Sequence, residues 1–267
     1  MHPRILFSHG NSFPAGTYRL VLDGLRQRGF EVKAIDQYGH DPQYPVSNNW
    51  PHLVQQLADT AQAWQADGEP AFLVGHSLGG ILSLMCAALH PSLARGVLLL
   101  DSPIIGGWKA TTLGLAKRTQ LVGSLSPGRI SSKRRHHWAS RAAALEHFQH
   151  KKAFARCDPQ VLMDYVDHGT HERDGQRWLT FDRQVETDIY NSLPDNLEAL
   201  LRRHGLKCPV AFIGGTHSVE MRQVGMDLTR KVTRGRIMML DGSHLFPMEK
   251  PVATAAAIEA SLRNLGA

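Results

Sequence analysis

The chain has 267 residues, 42% hydrophobic and 20% charged, which is enough apolar material for one large core and excludes a wholly disordered chain. Its formal charge of +6 invites a nucleic-acid reading, because clustered Lys and Arg displace counterions from phosphates. Three cysteines, Cys86, Cys157 and Cys208, lie far apart without CxxC or Cys/His spacing, so no disulfide framework, metal site or cofactor is expected and a reducing cytoplasm fits best.

Met1-His2-Pro3-Arg4 leads straight into Ile5-Leu6-Phe7, too short an apolar stretch for a secretory signal, and no run approaches the length of a membrane span. A soluble cytoplasmic protein is expected. From residue 4 to about 103, apolar runs alternate with amphipathic stretches, the pattern of a parallel sheet covered by helices on both faces. Strands are predicted at 4–8, 31–36, 71–75 and 95–100. Tyr18, Val21, Leu22 and Leu25 mark one helical stripe between them, and Trp50, Leu53, Val54, Leu57, Ala61 and Trp64 another.

Residues 104–205 read as an insertion of helices rich in Ala, Leu, Arg and His, broken near Ser126-Pro127-Gly128. Much of the excess positive charge lies between Lys109 and Arg156, including Lys133-Arg134-Arg135-His136-His137, so it reads first as a solvated basic face and second as an attractor of an acidic substrate or partner. Nucleic acid is not expected as a partner. After residue 206 the alternation returns, with strands at 210–213 and 236–240 and helices at 221–231 and 252–265. The predicted organisation is a core of 1–103 and 206–267 with the insertion 104–205 between its halves.

The third strand runs into Gly75-His76-Ser77-Leu78-Gly79-Gly80 and then into the helix-forming Ile81-Leu82-Ser83-Leu84-Met85-Cys86-Ala87. G-x-S-x-G between a buried strand and a helix is the setting of a nucleophile elbow. Side chains two positions either side of the serine would strike neighbouring backbone, so glycines there let Ser77 project above the sheet. A serine hydroxyl needs an imidazole to take its proton. Of fifteen histidines, His244 follows the last predicted strand in Asp241-Gly242-Ser243-His244. His76 lies inside the elbow, the insertion histidines belong to the basic face, and His217 is a minor alternative. For the oxyanion, Ser8-His9-Gly10-Asn11 follows the first strand, so the N–H groups of Asn11 and of Leu78 form the natural pair, with Ser12 a near alternative.

At these residues the chain resembles the α/β-hydrolase superfamily, particularly its small capped serine esterases and related lyases and thioesterases. The matching stretches are His9-Gly10, Asp36-Gln37-Tyr38-Gly39-His40, the elbow, and Gly242-Ser243-His244. The resemblance implies a mostly parallel sheet of about six strands, the family's two leading strands being missing, with the site under a helical cap at 104–205. It also implies an acid after the strand that follows the cap, where this chain has Ser218. Some relatives carry the acid at the end of the strand before the cap, where Asp101 stands, so Asp101 is the first choice and Glu220 the alternative.

Three functions follow from these residues. The first is hydrolysis of a carboxylic ester, thioester or related small-molecule acyl substrate through an acyl-enzyme on Ser77. The second is acyl transfer, peracid formation or a lyase reaction with the same residues. The third is a binding protein on a hydrolase scaffold. Epoxide hydrolases and haloalkane dehalogenases would want Asp at position 77. Trp108, Trp138, Phe148, Phe154, Trp178 and Phe181 are expected either to line the pocket or to form the insertion's own small core.

Overall fold

The structure, a computed structural model, describes residues 2–65, 68–118 and 131–267. Its first half runs β1 (Arg4–Ser8), α1 (Arg19–Gln27), β2 (Glu31–Ile35), α2 (Pro51–Trp64), β3 (Ala71–His76), α3 (Leu78–Leu89) and β4 (Ala94–Leu100). After β4 the chain continues with α4 (Gly107–Arg118), β5 (His137–Trp138), α5 (Arg141–Gln149), α6 (Pro159–Gly169), β6 (Thr170–Arg173), β7 (Gln176–Leu179) and α7 (Arg183–Asn191). Then come α8 (Leu197–His204), β8 (Val210–Gly215), α9 (Val219–Val224), α10 (Asp227–Thr233), β9 (Ile237–Leu240), α11 (Phe246–Glu249) and α12 (Pro251–Asn264).

Six strands form one parallel sheet in the order β2-β1-β3-β4-β8-β9. The central strands are apolar on both faces because both faces are covered. Leu6, Leu73, Val97, Leu99 and Phe212 point to the side that carries α2 and α3. Phe7, Phe72, Val74, Leu98 and Ile213 point to the side that carries α1 and α12. Register carries this alternation across the sheet, since Phe7 pairs with Val74, Val74 with Leu98 and Leu98 with Ala211. The stripe read from the sequence of α2 buries Leu53, Val54, Leu57 and Ala61, and Pro51 opens that helix where its missing N–H costs nothing. No helix among the described residues is long and apolar enough to cross a membrane.

Two details depart from the sequence-based expectation. The helix expected over 221–231 is split into α9 and α10 at Gly225-Met226. The insertion is also not wholly helical, because β5, β7 and β6 form a small antiparallel sheet. Its strands are two to four residues long, too short to leave a period-2 signal. β6 and β7 are joined by Asp174-Gly175, both at positive φ, the turn that matches the twist of paired strands. The Ser126-Pro127-Gly128 break lies outside the described residues.

Trp138, Phe148, Leu162, Tyr165 and Val166 form a separate apolar cluster inside the insertion, with Phe154 packed against it. Trp138 is fully buried, its ring centroid 5.1 Å from that of Phe148. Trp138→Ala is expected to cost about 4 kcal/mol, measured as a lowered urea midpoint with the same slope. Between α7 and β8, α8 packs against helix α3 and buries Leu197 among the core residues.

Candidate active site

The sheet brings its strand ends together at one edge. β3 stops at His76 and α3 starts at Leu78, leaving Ser77 alone to reverse the chain, at φ 53° and ψ −113°. An L-residue takes up this conformation only where its surroundings enforce it. A Cβ on Gly75 would lie 2.1 Å from the Gly79 carbonyl carbon, and one on Gly79 would lie 2.0 Å from the Ser8 carbonyl oxygen. The two glycines therefore let the elbow close on itself and on the end of β1, as expected from the sequence.

His244 sits in the loop after β9. Its Nε2 is 3.0 Å from Ser77 Oγ and its Nδ1 is 2.6 Å from Asp101 Oδ2. A carboxylate can only accept, so Nδ1 carries the proton and the Nε2 lone pair faces the serine. Asp101 ends β4, is wholly buried, and also takes a positive φ of 44°. Its Oδ1 accepts from the Gly215 N–H at 2.8 Å, and its Oδ2 accepts from Ser218 Oγ at 2.6 Å as well as from His244. Burial by itself would raise the Asp101 pKa. The hydrogen bond and charge of His244, with the bonds from Ser218 and Gly215, outweigh it and hold the carboxyl below the usual carboxylate range.

Glu220 Oε2 is 4.0 Å from His244 Nδ1 and 3.5 Å from Ser218 Oγ, and its side chain is half-exposed. It stands behind a bond that Asp101 already makes. Asp101, Glu220 and His244 present ligand atoms within 4.8 Å of one another. A divalent ion there would have to displace the proton that joins His244 to Asp101. His217, the other imidazole weighed from the sequence, lies exposed at the surface, its Nε2 3.1 Å from Asp241 Oδ1.

Two buried histidines have other work. His9 Nδ1 donates to the Gly10 carbonyl at 2.8 Å and Nε2 accepts from the Tyr38 N–H at 3.1 Å, which ties β1 to the loop after β2. Burial pushes its pKa down to about 4, so the ring is neutral as this pattern requires. His76 Nε2 donates to the His244 carbonyl at 2.9 Å, and Nδ1 accepts from the Tyr18 hydroxyl at 2.7 Å, which in turn accepts from the Gly10 N–H at 2.9 Å. Burial, helped by His244, lowers the His76 pKa to about 3. This chain from Gly10 to the His244 backbone was not legible in the sequence, where His76 reads only as a residue inside the elbow.

Of the two residues expected to supply oxyanion donors, Leu78 opens α3 directly after Ser77, and Asn11 is buried in the loop after β1 with its Nδ2 donating to the Glu186 carbonyl at 3.0 Å. A cavity of about 190 Å³ opens beside Ser77 and His244, walled by Trp50, Leu78, Ile81, Ile105, Tyr190, Leu193, Pro194, Leu197 and Val224, with Glu220 adding a carboxylate. Ile105, Tyr190, Leu193, Pro194 and Leu197 lie between β4 and β8. Trp138, Phe148, Phe154, Trp178 and Phe181 do not line it; the first three belong to the insertion's apolar cluster and Phe181 to the main core. The Trp108 side chain lies outside the described residues. Within the basic run, Lys133 and Arg135 are exposed, but Arg134 turns inward to pair with Glu186 at 2.8 Å.

Residues 5–257 match the Alpha/beta hydrolase family. The chain belongs to that family. This alpha/beta hydrolase is 25% identical over 273 residues to a serine hydrolase-like protein of Dictyostelium discoideum, covering 94% of this chain and 72% of that protein. It is 31% identical over 137 residues to the monoglyceride lipase of Rattus norvegicus, covering 48% of this chain and 45% of the lipase. Among solved structures it is similar in fold to E-2-(acetamidomethylene)succinate hydrolase, with a TM-score of 0.75 and 20% identity over 98% of this chain and 91% of the other. The likeness to that structure is one of fold.

Proposed function

We propose that this alpha/beta hydrolase cleaves carboxylic esters or thioesters of apolar acyl groups through an acyl-enzyme on Ser77, with His244 as general base and Asp101 as the group that orients it. The observation that carries the reading is the continuous line of contacts from Asp101 Oδ2 through His244 to Ser77 Oγ, 2.6 and 3.0 Å long.

Asp101 fixes the tautomer, so His244 Nε2 takes the serine proton as Oγ attacks the substrate carbonyl. The charge that develops on the carbonyl oxygen falls to the Asn11 and Leu78 N–H groups, the second at the start of α3, where the helix dipole favours an anion. The imidazolium formed is stabilised by the buried Asp101 carboxylate and returns its proton to the leaving oxygen or sulfur as the tetrahedral species collapses. Water then repeats the sequence on the acyl-enzyme, with His244 again as base. The bonds that hold the Asp101 carboxyl below the usual carboxylate range keep it the charged, accepting partner that this line of contacts needs. Residues 104–205 act as a cap, supplying Ile105, Tyr190, Leu193 and Pro194 to the cavity wall; that apolar wall supports an apolar acyl group.

Incubation with a fluorophosphonate probe is expected to add one probe mass to Ser77, with Ser77→Ala blank, and wild type is expected to turn over a series of p-nitrophenyl esters. A wild type that takes no label and hydrolyses no ester of any acyl length would sink the reading.

A further inference from the structure

The loop that carries Asn11 is fastened from the insertion as well as from the core. Ser12 stands at φ 74°, a conformation that a non-glycine residue holds only when something fixes it. The Phe13 N–H closes a turn across Asn11 and Ser12 by donating to the Gly10 carbonyl at 3.1 Å, and Glu186 on α7 fastens that turn from outside: Ser12 Oγ donates to Glu186 Oε1, and Asn11 Nδ2 donates to the Glu186 carbonyl at 3.0 Å. Glu186 is itself buried, 4% exposed, and is held in turn. Arg134 Nη1 donates to its Oε2 at 2.8 Å, while Arg134 Nη2 donates to the Tyr165 hydroxyl at 2.6 Å. Arg183 donates to the Arg134 carbonyl at 3.1 Å, and Asp182 caps the helix that carries Glu186 by accepting from Gln184 and Val185. Just downstream, α6 packs on the turn Ala15–Tyr18, and Arg19 pairs with the buried Asp164 at 3.0 Å.

We propose that Glu186 is a positioning residue that holds the Asn11–Ser12 loop where its N–H can meet the oxyanion, so that the hole is complete only while the insertion is seated on the core. The proposal rests on the hydrolase reading above. It gives the inward turn of Arg134 a purpose, since a lone carboxylate at this depth would be too costly to keep ionised without a cation beside it. Both oxygens of Glu186 are then occupied, one by the cation and one by the loop. A loop displaced by even about 1 Å moves the donor out of range of the developing charge, which costs about 10²-fold in rate.

The test uses the full chain with Ser12→Ala, which deletes only the hydroxyl, and Glu186→Gln and Glu186→Ala. Three readouts are taken: hydrogen exchange of the amides of residues 9–13, kcat against KM on a p-nitrophenyl ester, and affinity for a trifluoromethyl ketone that mimics the tetrahedral species. Ser12→Ala is expected to speed loop exchange about tenfold and to lower kcat by about 10- to 100-fold with KM unchanged, ketone affinity falling by the same factor. Glu186→Gln, whose amide oxygen must face Arg134 but whose NH₂ can still donate to the Ser12 hydroxyl, is expected to recover most of the loop protection that Glu186→Ala loses. Wild-type exchange in Ser12→Ala, or a loosened loop with unchanged kcat and ketone affinity, would overturn the proposal. A wild type that hydrolyses no ester counts against the hydrolase reading alone, because loop protection is read without substrate.

Discussion

Asp101→Asn is expected to lower kcat by about 10⁴-fold while leaving the fold intact. Asp101 Oδ2 accepts from both His244 Nδ1 and Ser218 Oγ, and Oδ1 accepts from the Gly215 N–H. An asparagine has only one acceptor oxygen, and the Gly215 N–H, which cannot rotate away, claims it. The NH₂ group then faces His244 and donates to Nδ1, so the proton moves to Nε2 and the imidazole has no lone pair for Ser77. Glu220→Gln should change kcat little, because Glu220 stays 4.0 Å from Nδ1 and half-exposed to water. Steady-state kinetics on one ester decide the matter. An Asp101→Asn enzyme that keeps most of its turnover, with the loss falling on Glu220→Gln instead, would transfer the orienting role to Glu220.

Gly79→Ala is the second large effect. The new methyl would lie 2.0 Å from the Ser8 carbonyl oxygen, 2.4 Å from its carbon and 2.7 Å from the His9 carbonyl oxygen. All three are backbone atoms at the end of a central strand, so no side chain can swing away to make room. Either α3 lifts off the sheet or β1 retreats, and both separate the elbow from the loop that carries Asn11. The cost expected is about 4 kcal/mol, at the top of the range for single substitutions, together with loss of Ser77 labelling in whatever folded protein remains. A Gly79→Ala chain with a wild-type urea midpoint and wild-type labelling would show that the elbow has slack that these distances do not contain.

The sheet was legible because its strands are buried on both faces and so leave continuous apolar runs such as Ala71–His76 and Ala94–Leu100. The elbow was legible because its glycines, serine and flanking elements are contiguous. The choice between Asp101 and Glu220 was not closed by sequence, since both can reach one imidazole and only distance separates 2.6 from 4.0 Å. The Gly10, Tyr18, His76 and His244 chain joins four parts of the sequence, and no local pattern announces it. Arg134 was hidden by its neighbours, because a run of like charges reads as solvated surface even where one member turns inward to a buried carboxylate. The small sheet of the insertion carried one readable mark, the Asp174-Gly175 pair between Arg173 and Gln176. A turn signal of that kind outranks the lack of β-branched residues around it.

Ser77 and His244 are 167 positions apart, and His244 follows β9, an edge strand whose neighbour in the sheet is β8. As the chain leaves the ribosome, the elbow can form between β3 and α3 long before His244 has been synthesised. During that interval Ser77 is an ordinary alcohol. On the proposed mechanism, esterolytic competence arrives with the docking of the final strand, so a burst of activity in a refolding experiment would time the closure of the sheet's far edge.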